Sequence, residues 1–193
     1  MSLDDIYSVL DRLPPIRWTG TVFRQVNRNY LSQALSGLGA QRIGGRWNPP
    51  HSFRTIYLSL AVETVLAEFK ASLGPGRDAL AMAKHHVLVH VGVDVASIAD
   101  LRDAAILRRL GLSVPLDPSL DRAVTQEIGA AVYYLRLNGL VAPSFVHSTG
   151  LNLVLFPDTF TQTDRCEVDK RISVVSLASL LREGDKPPAP AIG

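Results

Sequence analysis

The stretch GGRWNPPHSFRTIYLSLAVETVLAEFKASL (44–73) holds a loop, a strand and a helix in thirty consecutive residues. Gly44-Gly45 and Pro49-Pro50 bracket Arg46, Trp47 and Asn48, so residues 44–50 read as a turn-rich loop. TIYLSL (55–60) is short, apolar and partly β-branched, which predicts a strand. In AVETVLAEFKASL (61–73) the apolar positions Val62, Val65, Leu66, Phe69 and Leu73 share one helical face, and Gly74-Pro75-Gly76 ends the pattern. Glu68 lies about 120° from the centre of that stripe, counting roughly 100° per residue, at the border of the buried face. A border carboxylate can line a cleft, or it can be an ordinary surface glutamate. Arg46 is open in the same way: the glycines let a ligand approach the backbone and a guanidinium fork suits phosphate, but the same pattern describes a solvated turn.

Upstream, Leu3, Ile6, Val9 and Leu10 predict a short helix over 3–12, stopped by Pro14-Pro15. WTGTVFRQV (18–26) predicts a strand in which Arg24 interrupts the apolar run, and an inward-facing arginine there needs an anionic partner. Residues 27–50 read as a long polar loop. Downstream, HHVLVHVGV (85–93) predicts a strand, 100–112 a helix, and RAVTQEIGAAVYYLRLNG (122–139) a longer helix. GLVAPSF (139–145) and NLVLF (152–156) predict two short strands, and 172–183 a strand followed by a helix. The mixture lacks a regular βαβ rhythm, so an α+β domain with a partly antiparallel sheet is expected. The 193 residues suit a single domain, with a core of about 18–183 and a flexible Pro-rich tail at 184–193.

Composition narrows the chemistry. A hydrophobic fraction of 47% and a charged fraction of 20% are ordinary for a globular chain. A formal charge of +2 gives no electrostatic footprint for nucleic acid. Cys166 is the single cysteine, which rules out an intramolecular disulfide and a multi-thiolate zinc site. His86 and His90 share a strand face without a third ligand nearby in sequence, so no metal is expected. No signal peptide or apolar span of about 18 residues occurs, and a cytoplasmic protein is expected. There is no GK[ST] phosphate loop, no GxSxG elbow and no GxGxxG fingerprint, so hydride-transfer use of a dinucleotide is disfavoured.

Three motifs in fixed order, GGRWNPP (44–50), IYLSLAVETVLAEF (56–69) and GLVAPSF…NLVLF (139–156), resemble the RES-domain family, named for an arginine, a glutamate and a serine. The resemblance runs from about Trp18 to Phe156. It implies a toxin of a bacterial toxin–antitoxin module, with a fold similar to ADP-ribosyltransferases, in which two small sheets form an NAD cleft. Family activities include NAD hydrolysis, NAD phosphorolysis and ADP-ribosylation of a host protein, such as a host metabolic enzyme. It also implies an antitoxin carrying a helix-turn-helix DNA-binding domain and a C-terminal segment that covers the cleft. By position, Arg24, Arg46, Tyr57, Glu68 and Ser144 match the family's site residues. Gly45, Trp47 and Asn48 accompany Arg46 in the NAD-binding set, and Thr125 and Gln126 are alternative polar contributors.

The residue chemistry agrees with the resemblance. A pyrophosphate calls for arginines, a nicotinamide ring for an aromatic face, and an oxocarbenium-like ribose for a nearby carboxylate. Arg24 and Arg46, Tyr57 and Glu68 would fill those roles, with NAD as co-substrate. The competing expectations are a non-catalytic nucleotide- or antitoxin-binding module and a ribonuclease toxin. The near-neutral charge counts against the ribonuclease.

Overall fold

A computed structural model describes residues 2–184. Two long strands organise it. Strand β1 (Ile16–Asn27) and strand β3 (His86–Asp100) pair antiparallel along nearly their whole length, from Asn27 opposite His86 to Ile16 opposite Ile98. In β3 the residues Val87, Val89, Val91, Val93 and Val95 are all buried on one face. Leu88, on the other face, is buried as well. His90, Gly92 and Asp94 between the valines are only partly buried, so the segment alternates with period two except at Leu88.

Between these strands the chain forms a 3-10 turn (Arg28–Gln33), helix α2 (Leu38–Ile43), strand β2 (Ile56–Ser59), helix α3 (Val62–Leu73) and helix α4 (Ala79–Ala83). Helix α1 (Leu3–Leu10) precedes β1, closed by a capping box between Ser2 and Asp5. After β3 come α5 (Ala104–Arg109), α6 (Arg122–Tyr134), β4 (Gly139–Pro143), β5 (Leu151–Leu155), β6 (Arg165–Val168), β7 (Val175–Ser176) and α7 (Leu177–Gly184).

Among the described residues the seven strands belong to one sheet, ordered β1-β2-β5-β4-β3-β6, with β7 on β3. One edge of β3 holds β1. The other holds β7 at Val87–Leu88, β6 at Val91–Asp94 and β4 at Ile98–Asp100. The β3–β4 pair is parallel and the others are antiparallel. The two small sheets implied by the resemblance are therefore joined rather than separate, because β4 bonds to both β3 and β5 and β1 bonds to both β3 and β2. Its link to β2 is slight: the two strands meet at one pair, Phe23 opposite Ser59.

Three further expectations change. The strand expected over 85–93 continues to Asp100, so the helix expected over 100–112 starts only at Ala104. The helix expected to run to 139 stops at Tyr134, and Arg136 takes a positive φ in the connection to β4. The long loop over 27–50 carries the 3-10 turn and α2. Residues 185–193 of the expected tail lie outside the described residues.

Packing on the two sheet faces separates the core. One face, with Leu140, Ala142, Val154 and Phe156, packs against α1, α6 and the loop residues Trp47 and Phe53. Phe53 stacks on Tyr133 at 4.1 Å and meets Phe156 edge-on at 5.0 Å. The opposite face holds Val22, Val26, Ile56, Leu58, Val141 and Leu153. Helices α3, α4 and α7 form a third cluster around Val65, Phe69, Leu88 and Leu177, with Phe23 packed against it.

Candidate functional site

Strand register builds the floor of the site. Ser59 of β2 lies directly opposite Asn152 of β5, and the next pair on that face is Tyr57 with Val154. Ser59 Oγ donates to Asn152 Oδ1 at 2.9 Å. Asn152 Nδ2 in turn donates to Glu68 Oε1 at 2.8 Å. Ser144, just past β4, donates its hydroxyl to the same Glu68 oxygen at 2.7 Å. Glu68 is half-buried on α3, in line with its place at the border of the apolar stripe. Among the described residues both of these hydrogen bonds fall on Oε1.

Ser144 is fully committed. Its oxygen accepts from the backbone N–H of Val146 at 3.2 Å and of His147 at 3.1 Å, while its one proton goes to Glu68. A serine so held orients a carboxylate; it is not set up as a nucleophile.

The loop that carries Arg46 is braced from several sides. Tyr57 Oη accepts from the Trp47 N–H at 2.9 Å and donates to Asn48 Oδ1 at 2.8 Å. Asn48, fully buried, donates through Nδ2 to the carbonyls of Ala40 and Pro49. Gln126 Nε2 donates to the Gly45 carbonyl at 2.9 Å. A side chain at Gly45 would run into the Tyr57 hydroxyl, so the second glycine of the motif is required by close approach. Burial pushes the Tyr57 phenol above its ordinary pKa, against the smaller opposing effects of the Trp47 N–H and of Arg122 and Arg46.

Arg46 itself donates to the carbonyls of Leu120 at 2.9 Å and Pro118 at 3.2 Å. Its guanidinium lies 4.3 Å from the centre of the Phe145 ring. Desolvation lowers its pKa, and the like charge of Arg122 adds to this. Glu68 and Tyr57 pull the other way. Arg46 therefore shares an electrostatic neighbourhood with Glu68 while spending two donors on the loop before α6.

Arg24 is placed apart. It sits opposite Val89, on the side of β1 that carries Val22 and Val26, whereas its neighbour Phe23 faces α3. Its Nη1 reaches the Tyr57 backbone carbonyl at 3.5 Å, across the gap where β1 and β2 part. Burial lowers its pKa and the Cys166 sulfur offsets part of that. Thr125, also buried, returns its hydroxyl to the Arg122 carbonyl within α6. The structure thus brings Glu68, Ser144 and Arg46 together, uses Trp47, Asn48, Tyr57 and Gln126 as bracing, and sets Arg24 on the other face.

Asn152 and Ser59 escaped the sequence reading. Each is a lone polar residue in an apolar strand, a weak signal that gains meaning only when register opposes them. Among the described residues no helix is long and apolar enough to cross a membrane.

Comparison with known proteins gives one consistent answer. The chain is 30% identical over 149 residues to the NAD(+) phosphorylase MbcT of Mycobacterium tuberculosis (strain H37Rv), covering 76% of this chain and 77% of that protein. The counterpart from Mycobacterium bovis matches equally. Among solved structures, that of the M. tuberculosis MbcT–MbcA toxin–antitoxin complex is similar with a TM-score of 0.78 and 26% identity, over 94% of this chain and 98% of that one. The RES domain matches residues 21–175, more than half of the sequence and all of the site just described. With the arginine of the RWN loop, the helix glutamate and the serine after β4 gathered in one place, the chain belongs to the RES-domain family.

Proposed function

We propose that this chain is the toxin of a toxin–antitoxin module and consumes NAD by breaking the nicotinamide–ribose bond. The observation that carries the reading is the Glu68 carboxylate, half-buried and fixed at Oε1 by Ser144 and Asn152. Fixed orientation matters because a carboxylate preorganised where positive charge develops stabilises that charge without reorganising. As the bond between C1′ and the nicotinamide nitrogen breaks, its electron pair leaves with nicotinamide. The ribose gains oxocarbenium character, and Glu68 stabilises it through Oε2. An acceptor oxygen then bonds C1′. The relative named NAD(+) phosphorylase favours phosphate as that acceptor over water or a protein side chain.

In this reading the braced loop forms one wall of an ADP-ribosyltransferase-like cleft and Arg46 supplies positive potential for the NAD phosphates. A cognate antitoxin is supported by the solved MbcT–MbcA complex; a helix-turn-helix domain in that antitoxin and a cytoplasmic setting for this chain belong to the same reading. The test is to incubate the purified chain with NAD, with and without inorganic phosphate, and to follow free nicotinamide and the ribosyl product. The expected result is phosphate-dependent release that is lost in Glu68→Ala. Phosphate-independent release would move the acceptor to water. Label retained on a protein band after addition of host lysate would move it to a protein side chain. No release above the Glu68→Ala control under any of these conditions would refute NAD consumption.

A further inference from the structure

Helix α3 grips the turn between β4 and β5 at two points, one helical turn apart. Glu68 receives the hydroxyl of Ser144 at the start of the turn. Thr64, on the same side of the helix at i−4, meets His147 further along it, with Thr64 Oγ1 and His147 Nδ1 at 2.9 Å. Thr64 is fully buried. The turn closes on itself: Ser144 N–H donates to the Gly150 carbonyl at 2.8 Å, and Gly150 N–H donates to the His147 carbonyl at 2.8 Å. Gly150 is buried so tightly that a Cβ there would lie 2.6 Å from His147 Nδ1 and 2.9 Å from Thr64 Cγ2. The backbone N–H of His147 is also one of the two donors that hold the Ser144 oxygen.

We propose that His147, pinned by Thr64, is a positioning residue for Glu68: it locks the 144–150 turn so that the Ser144 hydroxyl stays on Oε1. The chain of contacts is Thr64 to His147, His147 backbone to Ser144, and Ser144 to Glu68. It begins and ends on α3, so the helix that presents the carboxylate also fixes the group that orients it. The proposal rests on Glu68 acting on NAD, and it carries a structural consequence that stands without that activity.

Three variants test it: Thr64→Val, which keeps the buried shape and deletes the hydroxyl; His147→Ala; and His147→Asn, whose amide can occupy the place of Nδ1. For nicotinamide release, kcat falls about tenfold in Thr64→Val and His147→Ala, below the ~100-fold that a 1 Å misplacement can cost, with KM for NAD within about twofold. His147→Asn recovers most of the loss. The Thr64→Val/His147→Ala double variant is no slower than either single one, because both break the same contact. Unchanged kcat in both single variants, or a loss that His147→Asn fails to recover, overturns the proposal. Amide hydrogen exchange gives the second readout. The Val146 and His147 amides exchange faster in Thr64→Val than in the wild type, while those of β5 keep their rates. Wild-type exchange at those two amides overturns the latch whatever the substrate proves to be.

Discussion

Two regions of the molecule carry the family's polar residues, and they differ in what is left over after hydrogen bonding. In the RWN loop nearly every polar group is spent internally. Tyr57 joins Trp47 to Asn48, Asn48 reaches Ala40 and Pro49, and Gln126 holds Gly45. Around Glu68 the same accounting ends differently: Ser59, Asn152 and Ser144 form a chain of donors that terminates on one carboxylate oxygen. Buried polar groups that are mutually satisfied rigidify a fold. A carboxylate held at one oxygen is oriented while its second oxygen is kept for chemistry. The loop is thus a brace and α3 presents an oriented carboxylate, although both are written in the same sequence signature.

The contrast breaks most directly at Glu68. Glu68→Gln keeps an acceptor at Oε1 and removes the negative charge. It lowers nicotinamide release by about 10²–10³-fold, or ~2.7–4 kcal/mol, the cost of deleting one preorganised electrostatic group. Urea denaturation gives the same midpoint as the wild type. A large loss of stability in this variant would make Glu68 a structural residue and erase the distinction.

On the brace side, Gly129 of α6 lies against the Trp47 carbonyl, so close that a Cβ would overlap it. Gly129→Ala costs about 3 kcal/mol of folding stability, at the upper end of overpacking effects, read as a lower urea midpoint. Tolerance of alanine would show that the loop yields and does not brace.

Tyr57→Phe is the finer probe, since it keeps the ring and deletes the hydroxyl. It strands the Trp47 N–H and removes a partner of Asn48, costing about 2 kcal/mol, within the range for leaving a buried group unpaired. KM for NAD stays near the wild-type value at temperatures where the variant is folded. A raised KM with unchanged stability would move the Tyr57 hydroxyl from the brace to the substrate.

The smallest effect belongs to Cys166, on the face that also holds Arg24. Burial raises its thiol pKa to about 12, despite the opposing charge of Arg24. The neutral thiol is therefore favoured by folding. Its contribution is complete below the unfolded thiol value of roughly 8.5 and is lost as pH rises toward the folded value. Iodoacetamide leaves the native protein unlabelled at pH 8 and labels it in urea, as mass spectrometry would record. Rapid native labelling would mean that this face is open.

Local signals were strongest where one principle acts alone. The α3 stripe, its Gly74 stop and the border position of Glu68 follow from helical periodicity. Strand β3 outruns its sequence signal: pairing with β1 and β6 carries it through Asp94, and β1 and β4 resume the pairing at Ile98 after an irregular step around Ser97. Propensity loses to tertiary pairing there. Apolar Leu135 and Leu137 extend the helical pattern of α6 past its actual end at Tyr134. In the structure they pack against the α1–α6 core beyond the helix, at the approach to β4.

By itself the sequence determined the elements near the site and the border position of Glu68 on α3, because periodicity and glycine placement are properties of neighbours in the chain. Only the tertiary structure decided the roles. It turned the RWN loop into a brace, set Arg24 on the opposite face, committed Ser144 to Glu68, and recruited Asn152 and Ser59. The physical reason is that a polar side chain's function depends on whether its donors and acceptors are already satisfied. Here the partners that satisfy them come from positions 74, 76 and 84 residues away.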